Sequence, residues 1–273
     1  MTSMTSMMST RSAASRVAAV VLAVLIAAAL AAPVLSPYAP DDIDLAQLRQ
    51  PPSRAHWLGT DDLGRDVLAR VLHGARVSLA VGLLSAVVAG ASGVAIGGVA
   101  GYAGGAVDAA LMRGTDALLA VPRLPLLMIA GALLTPAVPL LILLIGFAGW
   151  METARVTRAA FRTLAAHGFV ESARAAGAGH AHVILRHLLP NAAHAVGVST
   201  TLAVARAIVI ESALSFFGVG VRPPAASWGN MLYQAQATMA SEPWLALAPG
   251  LMILITTVCV NAIGEGLAHH QTT

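Results

Sequence analysis

Six stretches of this 273-residue chain are apolar and approach the roughly 20 residues that a helix needs to cross a bilayer. They are residues 17–35, 77–100, 117–134, 140–150 with a flank to 156, 196–217 and 244–263. A soluble fold of this length needs many charged side chains on its exterior. Only 11% of the residues here are charged, 57% are hydrophobic, and the mean hydropathy is +0.76, which places the chain in the membrane. The expected fold is all-α: a polytopic membrane helix bundle with six transmembrane helices. The first stretch has a second reading, because a basic start, a short apolar core and an Ala-Leu-Ala-Ala ending also fit a cleaved signal peptide.

The formal net charge of +3 and a pI near 9.7 do not point to nucleic acid. All 16 basic residues are arginines, many at the edges of apolar runs, where positive charge sets topology by staying cytoplasmic. The segment 155–191 carries Arg155, Arg158, Arg162, Arg174 and Arg186 against Glu171 alone, so it is assigned to the inside, as is a loop at 101–116. In the segment 38–76 the acids Asp41, Asp42, Asp44, Asp61, Asp62 and Asp66 offset the bases, so it is assigned to the outside. Six spans then leave both termini cytoplasmic. The resulting divisions are a tail at 1–16, a first span at 17–37, an external segment at 38–76, a core of five spans at 77–267 enclosing a cytoplasmic loop at 157–195, and a tail at 268–273.

Several chemistries are excluded. A single cysteine, Cys259, can build neither an internal disulfide nor a thiolate cluster. Without any lysine the chain cannot form a G-x-x-x-x-G-K-[ST] phosphate loop, so an ATPase driving it would be another polypeptide. Of the nine histidines, His180, His182, His187 and His194 crowd the loop 157–195. His180 and His182 lie two apart on an expected helix and point in different directions, which argues against a metal site. No catalytic constellation is evident, so a membrane-embedded enzyme is disfavoured.

Within the external segment, Thr60 is expected to cap a short amphipathic helix with Leu63, Val67, Leu68, Val71 and Leu72 on one face and Asp61/Arg65 and Asp66/Arg70 paired at i,i+4. In the second span Gly93 and Gly97 make a small-xxx-small pair suited to close helix packing. Pro122, Pro125, Pro136 and Pro139 suggest discontinuous helices along a translocation path, or a tight external turn at 135–139. Arg206 and Glu211 lie inside the fifth span, where each charge costs about 2.5–3.5 kcal/mol at the centre. At about 100° per residue they sit about 140° apart and do not pair within the helix. They are candidates for the pore or for a helix interface.

The loop reads His167-Gly-Phe-Val-Glu171-Ser-Ala-Arg-Ala-Ala-Gly177-Ala-Gly-His-Ala-His-Val-Ile-Leu-Arg-His-Leu-Leu-Pro190-Asn191. Residues 169–176 suggest a short helix with Glu171 in its first turn, Arg174 near its end and Gly177 as its stop. A second helix is expected to run to Leu189 and to be ended by Pro190. This block resembles the signature loop of ABC-importer permeases: Glu-Ala-Ala, three residues, Gly, then a helix closing in Leu-Pro, with Ser172 here in place of the middle alanine. His56-Trp-Leu-Gly-Thr-Asp-Asp-Leu-Gly-Arg-Asp66 with Gly74-Ala-Arg-Val-Ser-Leu79, and Ser215-Phe-Phe-Gly-Val-Gly-Val-Arg-Pro-Pro224 with Ser227-Trp-Gly-Asn-Met231, are similar to the C-type permease subunits of dipeptide, oligopeptide and nickel importers.

The resemblance covers residues 17–267 and favours an uncleaved first span. It implies that Glu171, Ser172, Ala173, Ala176, Gly177 and Pro190 form an ATPase-coupling element, and that Gly59, Thr60, Asp61, Asp62, Gly64, Arg65 and Asp66 form an external family motif. It further implies a non-catalytic subunit in the plasma or inner membrane. Its partners would be a second permease in a heterodimer, two ATPase subunits holding ATP and Mg, and an external receptor protein. The chain itself would carry no cofactor. Dipeptides or oligopeptides are the expected solutes. The alternatives are nickel or another chelated solute within the same family, or a self-sufficient secondary transporter, for which Arg206 and Glu211 offer little ion-coupling material.

Overall fold

The computed structural model describes residues 2–135 and 137–269, and within them every regular element is helical. In chain order these are α1 (Thr2–Leu30), α2 (Ala32–Leu35), α3 (Val67–Ala103), α4 (Gly105–Ala120), α5 (Arg123–Leu134), α6 (Val138–Phe147), α7 (Trp150–Ala165), α8 (Gly168–Ala175), α9 (His180–His182), α10 (Leu189–Phe216), α11 (Trp228–Ala235) and α12 (Pro243–His269). A π-helical stretch, Val183–Leu188, joins α9 to α10 without a break. Four of these helical runs are individually long and apolar enough to cross a membrane: Ala13–Leu30, Val67–Ala103, His180–Phe216 and Pro243–Ala268. Two bent pairs raise the number to as many as six: α4 with α5, bent by 79°, and α6 with α7, bent by 44°. The chain is thus an all-α polytopic bundle. Side chains such as Val24, Val87, Leu133, Leu254 and Val258 lie more than half exposed on its outer surface, as a lipid-facing wall requires.

Helix α3 is the central post, packed against α1, α6, α7, α10 and α11. Lipid tails are as apolar as leucine, so what brings helices together here is close packing. Gly93, Gly97 and Gly101 lie four residues apart and form a seam against α7. A Cβ at Gly93 would sit 2.7 Å from the Trp150 carbonyl, one at Gly101 2.6 Å from that of Arg158, and one at Gly97 would run into the Ala154 carbonyl. The expected Gly93/Gly97 pair is therefore a contact with α7, extended by one further turn.

Three local expectations are corrected. Helix α3 begins at Val67 with Asp66 as its cap, accepting from the Ala69 N–H at 2.7 Å, so no separate helix starts at Thr60. The reason is local competition. The Asp61 carboxylate accepts from the Leu63 and Arg65 N–H groups at 2.9 and 3.0 Å, and Gly64 takes φ +74°, which together hold 60–66 as a turn. Second, the loop expected at 101–116 is mostly helical. Gly104 and Gly105, at φ +65° and +54°, turn the chain directly from α3 into α4. Third, Pro190 does not end a helix. The π-helical stretch just before it shifts the hydrogen-bond register, and the helix continues with Pro190 in the first turn of α10.

The proline cluster divides. Pro122 caps α5 at the 79° bend, Pro125 and Pro139 occupy the first turns of α5 and α6, and Pro136 lies outside the described residues, as does the tail at 270–273. The second bend falls at Ala148–Gly149, where there is no proline.

Gly97→Leu drives a side chain into the α7 backbone and is expected to destabilise the bundle by about 1–3 kcal/mol or more. Fluorescence-detected size exclusion after heating in detergent should show a clear loss of monodisperse protein, whereas Gly114→Leu, at a position with open space around it, should not.

Candidate functional site

The loop between α7 and α10 projects a compact element. Helix α8 starts after His167 and stops at Gly177, whose φ of +84° closes the turn while its N–H donates to the Arg174 carbonyl at 2.9 Å. One residue of α8 is buried: Val170, packed with Phe161 of α7 and with Val183, Leu188 and Ala192 on the π-helical stretch and α10. Tyr102, at the end of α3, adds a second anchor. Its hydroxyl lies 2.7 Å from His180 Nδ1, and the Arg174 guanidinium stacks over its ring at 5.2 Å. Glu171, Ser172, Ala176 and Gly177 are exposed and Ala173 is half-buried, so they present an open outer face on α8. Pro190, 13 residues beyond Gly177, lies exposed at the start of α10 and belongs to the base of the element.

On the opposite flank, the motif Gly59–Asp66 is the centre of a buried ion network. Arg65 Nε donates to Asp61 at 2.7 Å, and Arg70, 1% exposed, lies 3.5 Å from the same carboxylate. Both guanidinium groups donate to the Gln234 side-chain carbonyl, at 3.3 and 3.1 Å. Asp66, expected to pair with Arg70, instead binds His56 Nδ1 at 2.9 Å. Thr60 Oγ1 accepts from the Gln50 N–H at 2.8 Å and donates to the Gln47 carbonyl. Gly59 lies against Trp244, and Gly64 is pressed onto the Asp44 backbone, where a Cβ could not fit. Asp62 is the exposed member. Two sequence blocks separated by about 150 residues thus meet, and Trp228, fully buried, completes the junction by donating from Nε1 to the Val71 carbonyl at 3.1 Å.

Glu211 lies just beneath this junction and is fully buried. The hydroxyls of Ser215, Ser78 and Ser212 donate to it at 2.8, 3.2 and 3.4 Å. Ser78 and Ser215 in turn accept from the Trp228 and Val221 N–H groups, at 3.1 and 3.0 Å. The carboxylate therefore ties α10 to α3 and, through Ser78, to α11. Arg206 is elsewhere. Its guanidinium reaches Glu152 of α7 at 2.9 Å, and Glu152 also accepts from Arg123 of α5 at 3.1 Å. Sequence reasoning passed over Arg123 and Glu152, although Arg123 lay inside an apolar run and carried the same signal as Arg206. Asp108 was also missed. It accepts from both Arg158 and Arg162 and, with the Asp116–Arg155 pair, fastens α4 to α7. Among the described residues, no three His, Cys, Asp or Glu side chains are grouped to hold a metal ion.

Removing the Glu211 carboxylate leaves buried hydroxyls without their acceptor. Glu211→Ala should lower bundle stability by about 1–3 kcal/mol, with Glu211→Gln retaining most of it; thermal unfolding in detergent would read this order.

Comparison with known proteins matches residues 93–271 to the family of binding-protein-dependent transport system inner membrane components, and residues 11–52 to the N-terminal TM domain of oligopeptide transport permease C. The chain is 40% identical to a peptide permease protein, so named, of Brucella suis, over 86% of this chain and 78% of that one. It is 37% identical to the oligopeptide transport system permease protein OppC of Mycobacterium tuberculosis, over 87% and 82% of the two chains. It is 38% identical to the dipeptide transport system permease protein DppC of Bacillus subtilis, over 86% and 74%.

Proposed function

Because the chain belongs to the family of inner membrane components of binding-protein-dependent transport systems, we propose that it forms half of the translocation pathway of an ATP-driven importer for dipeptides or oligopeptides. It is a non-catalytic, multi-pass permease of a bacterial transporter family, and such a permease works with ATPase and permease partner subunits. In the proposed assembly a second, related permease completes the pathway as a heterodimer. Two ATPase subunits holding ATP and Mg sit at the cytoplasmic face, and a receptor protein delivers solute from outside. Both termini then lie in the cytoplasm. Peptides are proposed because the relatives from Brucella, Mycobacterium and Bacillus carry peptide names.

The observation that carries the coupling role is the asymmetry of α8. Its inner side is fastened through Val170 to both α7 and the foot of α10, while Glu171, Ser172, Ala176 and Gly177 stand free at its outer side. An ATPase cleft closing on that outer side would move α8, and Val170 would pass the motion to α7 and α10, the helices packed on α3. The bundle would thereby be switched between inward and outward openings by a rigid lever.

The test is to co-express the chain with the permease, ATPase and receptor subunits encoded beside it. Gly177→Val forces a β-branched residue into a left-handed conformation at a cost of about 1–3 kcal/mol. It is expected to reduce ATPase co-purification and peptide uptake by about tenfold while membrane insertion is unchanged. Uptake by the chain alone, or by the Gly177→Val complex at the unsubstituted rate, would defeat the proposal.

A further inference from the structure

Both bent helix pairs break beside the same three charges. Arg123 is the first residue of α5, directly after the 79° bend, and Glu152 lies in the first turn of α7, directly after the 44° bend. Arg206 projects from the middle of α10 to meet Glu152. Glu152 bridges the two arginines with separate oxygens, Oε1 to Arg123 at 3.1 Å and Oε2 to Arg206 at 2.9 Å. Two cations and one anion leave a net charge of +1. The N-terminal ends of α5 and α7 add the positive ends of two helix dipoles at the same place. The three side chains are not sealed in. Arg123 is 21% exposed, and Glu152 and Arg206 are 38% exposed. A cleft of about 360 Å³ opens on Arg123 and Glu152 between Leu118, Pro122, Phe147 and Trp150, and a second, of about 340 Å³, opens on Arg206 beside Ser199 and Leu202. A smaller cavity between them is walled by both arginines, Ser85 and Gly149.

We infer that Arg123 and Arg206 form a carboxylate subsite in the translocation pathway, which takes the C-terminal carboxylate of a peptide in transit, with Glu152 as the resident anion that the substrate displaces. An uncompensated positive charge inside an apolar bundle is costly, and a mobile carboxylate relieves it. Broken spans with helix N-termini aimed at an anionic group make such a site without any loop of their own. Glu152 pairs with both arginines and offsets part of their charge when no substrate is present. Because it already occupies the site, a peptide carboxylate exchanges with it and is not trapped.

This inference rests on the peptide reading above, and the experiment separates the two. The complete transporter is reconstituted in proteoliposomes and supplied with a library of di- to pentapeptides, either as free acids or with C-terminal amides, and uptake is measured by mass spectrometry. If neither library accumulates with the unsubstituted chain, the peptide reading itself fails. With transport established, R123Q and R206Q are each expected to cut free-acid uptake about tenfold, and R206K to recover most of it. The ratio of free-acid to amide uptake should fall at least threefold in R206Q, receptor preference being common to both permeases. E152Q removes the competing anion but keeps both cations, and is expected to raise the ratio of free-acid to amide uptake about threefold. Two results would overturn the subsite: E152Q as damaging as either arginine variant with the ratio unchanged, which would make the triad a helix fastening, or arginine variants that transport normally. Co-purification of the partner subunits controls for assembly in every variant.

Discussion

Inside a bilayer every backbone N–H and C=O must find its partner within the protein, and that single requirement accounts for most of what this chain does with its length. It makes the spans helical, and it makes any interruption of a helix costly unless something nearby relieves it. The interruptions here are few and each has a neighbour suited to it. The bend before α5 places Pro122 and Arg123 at a cleft, and the bend before α7 brings Glu152 to the same cleft. The stretch ahead of α10 avoids a break by passing through the π-helical turns of Val183–Leu188, just before Pro190.

The same scarcity of water governs the charges. Glu211 is tolerated in complete burial because three serine hydroxyls surround it, and two of these hydroxyls also hold the backbone N–H groups of Val221, between α10 and α11, and of Trp228, at the start of α11. Arg70, equally buried, shares Asp61 and Gln234 with Arg65. These two knots bind the segment before α3, the start of α3 and α11 into one cap. The other end is held differently. There, α8 is held by one buried side chain, Val170, by Arg174 over the Tyr102 ring and by Phe169 against His187, and it presents Glu171, Ser172 and Ala176 outward. A fastened cap at one end and a tethered, outward-facing α8 at the other suit the proposed coupling, in which an ATPase moves α8.

Much of this was legible in the residues. Composition alone led to the membrane, the apolar runs to the helices, and the glycine spacing to a close-packed seam. The position and ends of α8 were readable because Glu171, Arg174 and Gly177 obey short-range rules of helix dipoles and left-handed stops. The errors were also local in origin. The periodicity around Thr60 suits a helix, but the side chain of Asp61 binds its own backbone and keeps that segment a turn. Pro190 carries a stop signal that the change of register in the π-helical stretch just before it cancels.

What the sequence by itself determined is therefore the class of environment, the helices and the short α8 with its stop at Gly177, all set by composition or by residues within a turn or two of one another. Only the tertiary structure decided which charges pair. Arg206 was recognisable as an intramembrane cation, but its partner Glu152, and the Arg123 that shares this carboxylate, lie 54 and 83 positions away on other helices. The external motif and the block around Trp228 were separate signals until folding joined them through Gln234 and Val71. Charges in lipid must pair at contact distance, and contact between helices is set by packing seams such as the one between α3 and α7, which spacing along one helix cannot specify.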